Sequence, residues 1–273
     1  MPKITRKAPI ESRSKTTTPE AARKFVKKAA NKTANKTARK TARKTARKTA
    51  GKTAGKTAKP AKPWTRAEVV EAFSRFRKAN PEPKGELEHL NPFTLLVAVV
   101  LSAQATDAGV NRATAALFAV ADTPQKMVAL GEERVRDYIK TIGLYRNKAR
   151  NVIALSEKLI AEFNGEVPRS RAELESLPGA GRKTANVVLN MAFGQPTMAV
   201  DTHVFRVGNR TGLAPGKTPL EVELGLERAI PAEFMLHAHH WLILHGRYTC
   251  LARRPRCEVC LINDLCRWPE KTV

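Results

Sequence analysis

The tightest constraint on this chain is the stretch Leu177–Asp201, LPGAGRKTANVVLNMAFGQPTMAVD. Pro178 fixes φ, and Gly179 and Gly181 admit backbone shapes that other residues resist, so Pro178-Gly179-Ala180-Gly181 reads as a tight turn. An apolar helical run, Ala185, Val187, Val188 and Leu189, follows at once and makes the turn a helix N-terminus. Unpaired N–H groups and the positive end of the helix dipole make such a terminus a seat for an anion such as phosphate. Lys183 lies in the first helical turn, and Asp201 follows 18 residues later, beyond a Gly194–Pro196 break. A cationic amine and a carboxylate flanking a phosphate seat point to chemistry on a phosphodiester polymer. Gly-x-Gly-Arg-Lys-Thr is not a nucleotide-binding loop. It lacks the G-x-x-x-x-G-K-[ST] spacing and the third Gly of G-x-G-x-x-G, and it follows Leu-Pro rather than a strand. A Pro-Gly turn between helices is most often a connector, so the reading needs support from elsewhere in the chain.

Charge supplies some of that support. The net charge is +24, but residues 1–63 hold 21 Lys and Arg against two Glu, leaving only +5 for the remaining 210 residues. Residues 31–58 are seven tetrads of the form x-Lys-Thr-Ala, closed by Lys59-Pro-Ala-Lys-Pro63. With a single aromatic, Phe25, and few large aliphatics, this tail is expected to be disordered alone and to bind DNA non-specifically. On DNA, a four-residue period drifts only about 40° per repeat and would give a slowly winding basic stripe. The alternative is a solvated, dispensable extension.

No secretory signal is visible, and the longest apolar run, Phe93–Leu101, is far below the ~20 residues of a membrane span. The chain is expected in the cytoplasm, with its basic tail on nucleic acid. From Trp64 the texture becomes helical. Thr65-x-x-Glu68, Ser170-x-x-Glu173 and Thr218-Pro-x-Glu221 read as capping boxes, and Asn91-Pro92 as a cap followed by Pro at the first helical position. Val152, Leu155, Leu159, Ile160 and Phe163 recur at helical spacing on one face. No stretch alternates like a strand, so the fold class is all-α. The run Phe93–Leu101 reads as a buried helix ended by a polar cluster containing Gln104, whose simplest role is to cap it. Leu144 and Tyr145 fall on a Gly-containing turn beside basic residues; such a leucine is usually core, and otherwise a wedge entering a base stack.

All four cysteines lie near the C-terminus as Cys250-x6-Cys257-x2-Cys260-x5-Cys266, which points to one metal site rather than a disulfide scaffold. Four thiolates suit Zn²⁺ or a [4Fe–4S] cluster, and the chemistry alone leaves both open. Arg253, Arg254 and Arg256 sit in the loop between the first two cysteines, tied at both ends and able to present guanidinium groups to phosphates. His239, His240 and His245, on an apolar helix running into Cys250, read as packing residues rather than ligands.

The motifs LSAQATD, TIGLYRNKA, LPGAGRKTANVVLN, AVDTHVFRV and HHWLILHGRYTC, with the 6-2-5 cysteine spacing, resemble the endonuclease III family of helix-hairpin-helix DNA glycosylases. The resemblance covers Trp64 to about Cys266, and the tail has no counterpart in it. It implies a six-helix barrel lobe (85–195) with the helix-hairpin-helix, and a [4Fe–4S] cluster lobe (64–84 plus 196–273). Double-stranded DNA would lie across the cleft between them, bound by a monomer. Lys183 matches the family nucleophile and Asp201 its carboxylate partner. Gln104 and Leu144 match residues that fill the gap left by an extruded nucleotide. Gly179, Gly181, Arg182 and Thr184 belong to the phosphate-gripping hairpin, and Cys250, Cys257, Cys260 and Cys266 match the cluster ligands.

The chemistry expected of such a chain is removal of oxidised or ring-saturated pyrimidines, followed by cleavage at the abasic site. A base inside a duplex is reachable only when its nucleotide is flipped out. An amine nucleophile can form a Schiff base that permits β-elimination, which water cannot. The lysine must be neutral to attack, so its pKa should fall below ~10.4, with Arg182 and exclusion of water pushing it down. An adenine-specific glycosylase of the same superfamily is the near alternative, and it is expected to lack a lysine at position 183. A non-catalytic nucleoid protein is the distant one, in which Lys183 and Asp201 have no purpose.

Overall fold

The computed structural model describes residues 62–272, so the basic tail's expected disorder and DNA binding fall almost wholly outside the described residues. Those residues form eleven α-helices and one 3₁₀ turn, with no strand among them. In chain order the helices are α1 (Arg66–Ala79), α2 (Pro92–Leu101), α3 (Asp107–Val120), α4 (Pro124–Leu130), α5 (Glu132–Ile139) and α6 (Tyr145–Phe163). They continue with α7 (Arg171–Glu175), α8 (Arg182–Phe193), α9 (Thr202–Thr211), α10 (Pro219–Ala229) and α11 (Ala232–Tyr248).

Local chemistry sets the starts of these helices. At α1, Thr65 accepts from the Glu68 N–H while the Glu68 carboxylate accepts from the Thr65 N–H, a complete capping box. Asn91 caps α2 with Pro92 just inside. Ser170 and Thr218 cap α7 and α10, but neither capping box closes: Glu173 accepts from the Ser170 hydroxyl, and Glu221 from the N–H of Lys217, rather than from the N–H of the cap residue. No described helix is long and apolar enough to cross a membrane.

Two apolar cores result. The first gathers α2 through α8 around Leu96, Leu101, Leu117, Ile139, Leu155, Leu159 and Val188, all fully buried. Helix α2 lies at its centre, with every residue from Phe93 to Leu101 buried. Each large aliphatic so placed contributes about 1.5–3 kcal/mol. On α6 the expected stripe holds for Val152, Leu155 and Leu159, while Phe163 is half-buried. Ile160 departs from it and is exposed: one residue past Leu159 on a 100° helical step, it has already turned to the edge of the buried arc. The second core joins α1 to α9, α10 and α11 through Phe73, Val204, Leu226, Phe234, Trp241 and Ile262. The Phe73 ring lies 5.8 Å from Phe234 and 6.2 Å from Trp241, and the Trp241 indole N–H donates to the Asn80 carbonyl at 2.8 Å.

A small third cluster, Leu95 and Val99 of α2, Val187 of α8 and Ala199, lies between the two cores. Here the connection from α8 to α9 is laced onto α8. Asn186 Nδ2 donates to the Met198 carbonyl at 2.8 Å, and Thr197 Oγ1 donates to the Asn186 carbonyl at 2.6 Å. These buried bonds fix where Asp201 emerges relative to the helix that carries Lys183.

Candidate active site and iron–sulfur centre

The turn before α8 uses its two glycines differently. Gly179 has φ +81°, and a Cβ there would meet Asn151 at 2.9 Å, so the turn requires glycine. Gly181 is the extended N-cap of α8, and a Cβ there would meet nothing within 4 Å. The absence of a side chain leaves open space in front of the helix start, and no side chain caps the first turn. Helix α9 begins in the opposite way: Asp201 is its N-cap, and Oδ1 accepts the N–H groups of both His203 and Val204 at 2.8 Å.

Lys183, in the uncapped first turn of α8, lines a cleft with Asp107, His239, His240 and Arg247. The surrounding protein holds its pKa below the ordinary lysine value, mainly by desolvating the ammonium. Asp201 and Asp107 oppose that shift, and Arg247 adds to it. The cation acting on Lys183 is therefore Arg247 of α11, in place of the neighbouring Arg182 expected from sequence. Asp201 acts on Lys183 through space, without a direct ion pair among the described residues.

Arg247 is itself held in the cleft. Its guanidinium lies 2.7 Å from Asp107 Oδ2 and pairs with Glu86, which also accepts from the Tyr248 hydroxyl. Beside it, His239 and His240 are buried with rings 5.1 Å apart, and burial pushes their pKa values down to about 3 and about 4, so both stay neutral. Gly246 lets α11 approach α9 closely: a Cβ there would meet His203 Cβ at 2.9 Å. Asp107 and Arg247 both fall inside motifs noted in the sequence, but 140 residues separate them and no local signal pairs them.

Gln104 and Leu144 are two of three non-glycine residues with positive φ among the described residues, at 56° and 60°. Gln104 is exposed and lies beyond the C-cap of α2, which is Ser102, so it does not cap that helix. Leu144 is 57% exposed, which overturns its simplest reading as a core residue. Arg182 forks onto the buried Glu223 of α10, with bonds of 2.7 to 3.1 Å. Thr184 is half-buried in the first turn of α8.

Cys250, Cys257, Cys260 and Cys266 line one cavity and form no disulfide. Burial pushes the Cys260 thiol up to about 11 and raises that of Cys266, so thiolates there need the charge of a bound metal. The four cysteines that line this one cavity suit an iron–sulfur cluster. Arg210 ties the cavity to α9, donating to the carbonyls of Leu251 at 2.6 Å and Ala252 at 2.9 Å and to Cys250 Sγ at 3.6 Å. The Trp268 ring stacks on its guanidinium at 4.5 Å. His245 Nε2 lies 3.7 Å from Cys260 Sγ, as a neighbour to the ligands. Arg206 joins the cavity to the site, contacting the Cys250 carbonyl at 3.0 Å and His203 Nδ1 at 3.2 Å. Arg253, Arg254 and Arg256 are exposed in the loop after Cys250, with Arg256 3.9 Å from Glu258.

Known proteins share these features. Residues 97–232 match the HhH-GPD superfamily of base excision DNA repair proteins, and residues 250–266 match the iron-sulfur binding domain of endonuclease III. The chain is 60% identical over 206 residues to endonuclease III of Escherichia coli strain K12, covering 98% of that protein and 76% of this one. It is 63% identical over 198 residues to endonuclease III of Treponema pallidum, covering 94% of that protein and 72% of this one. A structure of a trapped endonuclease III–DNA covalent intermediate superposes with a TM-score of 0.70 at 49% identity, covering 75% of this chain and 96% of that one. A thermostable thymine-DNA glycosylase gives 0.66 at 25% identity, covering 76% and 97%. The Cys250–Cys266 segment thus holds a [4Fe–4S] cluster, which when bound cross-links a stretch with little regular structure. With near-complete coverage of curated relatives and both domain matches in place, the chain belongs to the endonuclease III family and is a base-excision DNA glycosylase and apurinic/apyrimidinic lyase.

Proposed function

We propose that the enzyme removes oxidised or ring-saturated pyrimidines from duplex DNA through Lys183 and then cleaves the strand 3′ to the abasic site by β-elimination. The observation that carries the reading is Lys183 itself. Its amine stands in the first turn of an uncapped helix, in a cleft that depresses its pKa and under the through-space influence of Asp201.

In this reading the open N-terminus of α8, with Gly179, Gly181 and Thr184, seats a DNA phosphate beside the extruded nucleotide. Gln104 faces the orphaned partner base and Leu144 props the stack. The strained backbone of both residues favours that role, because such conformations persist where the surroundings over-determine them for function. Neutral Lys183 Nζ attacks C1′ as the glycosidic bond breaks and the base leaves with the electron pair. Loss of the remaining amine proton and opening of the sugar give the Schiff base. Abstraction of a 2′ proton then expels the 3′ phosphate. One Asp201 oxygen already holds the start of α9, so the carboxylate is fixed in place and stabilises the positive charge developing on the sugar. Arg253, Arg254 and Arg256 meet flanking phosphates, and the basic tail adds non-specific affinity that keeps this monomer at the nucleoid. The covalent intermediate trapped for a relative is the kind of species this chemistry forms.

The test is borohydride trapping on a duplex carrying one thymine glycol, with wild type and Lys183→Ala. A covalent adduct with wild type alone supports the nucleophile and the lesion class together. No adduct from folded, cluster-loaded wild type overturns one of them, and repetition on a plain abasic site shows which.

A further inference from the structure

Glu223 is an anomaly on α10. Its neighbours on the buried face, Val222 and Leu226, are fully buried, and Glu223 is only 4% exposed. A carboxylate so placed needs partners, and it takes one from each helix of the hairpin. Arg182, at the start of α8, donates Nε to Oε1 at 2.9 Å and to Oε2 at 3.1 Å, and Nη2 to Oε1 at 2.7 Å. Arg171, at the start of α7, brings Nη1 to 3.8 Å from Oε1. Glu227 and Glu175 also face Arg182. Helix α10 is packed on α9, where Val222 Cγ1 would lie 3.0 Å from a Cβ at Gly208. Asp201 caps α9, and Lys183 follows Arg182 directly. One unbroken path therefore runs from Asp201 through α9, α10, Glu223 and Arg182 to Lys183. A bidentate fork fixes direction as well as distance, which apolar packing at the same point would not.

We propose that Glu223 is a positioning residue for catalysis: by gripping Arg182 and Arg171 it fixes the hairpin against α10, so that Lys183 stays in its cleft opposite Asp201. This rests on the reading of Lys183 as the nucleophile. It gives Arg182 a task inside the protein, in contrast to a phosphate contact, and it explains a buried charge that burial alone disfavours.

The deciding experiment compares Glu223→Gln with wild type on two duplexes, using full-length cluster-loaded protein. One duplex carries an abasic site, read by the single-turnover rate of borohydride trapping across pH. The other carries an uncleavable tetrahydrofuran site, read by Kd. Glutamine keeps the shape but removes the charge and turns an amide donor toward the guanidinium. The expected result is trapping slowed ~tenfold or more, since small misplacements of a reacting group cost that much, with Kd within ~threefold of wild type. The pH midpoint of trapping moves up toward the ordinary lysine value as Lys183 leaves its desolvated place, a change that general destabilisation does not produce. Glu223→Asp, which keeps the charge, recovers part of the rate. Wild-type trapping by the Gln variant overturns the proposal, as does a proportional loss of rate and affinity with an unmoved midpoint. If the Gln variant fails to fold, Arg182→Lys, which keeps the cation but not the fork, carries the same expectation and the same grounds for rejection. No adduct from wild type itself sinks the amine reading and this proposal with it, whereas adduct at full rate in Glu223→Gln sinks this proposal alone.

Discussion

Gln104 and Leu144 lie on two loops that meet: a Cβ added at Gly143 would stand 3.9 Å from the Gln104 carbonyl oxygen. Both residues hold left-handed backbone, at φ 56° and 60°, a conformation that ordinarily belongs to glycine. Two strained, exposed side chains on adjoining loops are difficult to explain by packing. The proposed role, filling the gap left by an extruded nucleotide, is one that such a pair would suit.

For Leu144, stability and activity should therefore part. Leu144→Gly removes the left-handed strain and little buried area, so thermal stability should stay level or rise by up to about 1 kcal/mol. Excision from a thymine glycol duplex should slow at least ~tenfold under single turnover. Leu155→Ala, at a fully buried position, provides the contrast and should cost about 2–5 kcal/mol. A Leu144→Gly variant that melts early like Leu155→Ala would place Leu144 among the core residues after all.

The amine chemistry has its own pH signature. Because the neutral form attacks and the pKa of Lys183 is depressed, the trapping rate should rise with pH and level off below the ordinary lysine value near 10.5. Replacing Arg247 by Gln removes a nearby cation and lets water in, so the midpoint should move upward. A wild-type profile that still climbs through pH 10.5 would count against a tuned lysine.

His239 and His240 tie stability to pH. Their folded-state pKa values, about 3 and about 4, lie below the unfolded value of 6.5. Between these limits the unfolded chain binds more protons, so stability rises with pH across the window and is lost as pH falls below 6.5. From pH 7 to pH 5 the loss should be about 2 kcal/mol for each histidine. Thermal melts followed by circular dichroism at both pH values measure it, and His240→Gln should remove about 2 kcal/mol of the drop, the rest belonging to His239 and the equally depressed His245.

Arg210 should govern how firmly the cluster is held. It grips the carbonyls of Leu251 and Ala252, approaches Cys250 Sγ and stacks on Trp268 just after Cys266. Loss of such an outer contact typically lowers metal affinity 10–100-fold. Arg210→Gln should bleach ~tenfold faster than wild type when the cluster's visible absorbance is followed in the presence of an iron chelator, and equal rates would show the contacts to be incidental.

The tail offers a measurement independent of the site. With +19 of the net charge in residues 1–63, full-length protein should bind undamaged duplex with a steeper salt dependence than a chain starting at Trp64. Each phosphate engaged adds about 0.9 to the log–log slope. Equal slopes would remove the tail from DNA binding.

Much of this was legible from residues close together in the chain. Caps at Thr65, Asn91, Ser170 and Thr218 act over three positions, and the α2 core run and the α6 stripe repeat within one or two turns, so sequence spacing reports them directly. The hairpin turn, Lys183 at its helix start and the four cysteines are likewise short-range patterns. Only the tertiary structure turned Arg182 inward to Glu223, 41 residues away, set Arg247 beside Asp107, and left Leu144 outside the core. The depressed pKa of Lys183 belongs to the same class: desolvation and the charges of Asp201, Asp107 and Arg247 depend on how the two cores meet around the cleft. Caps and periodic faces are decided by neighbours along the chain. Charge pairing, strain and proton affinity are decided by neighbours in space.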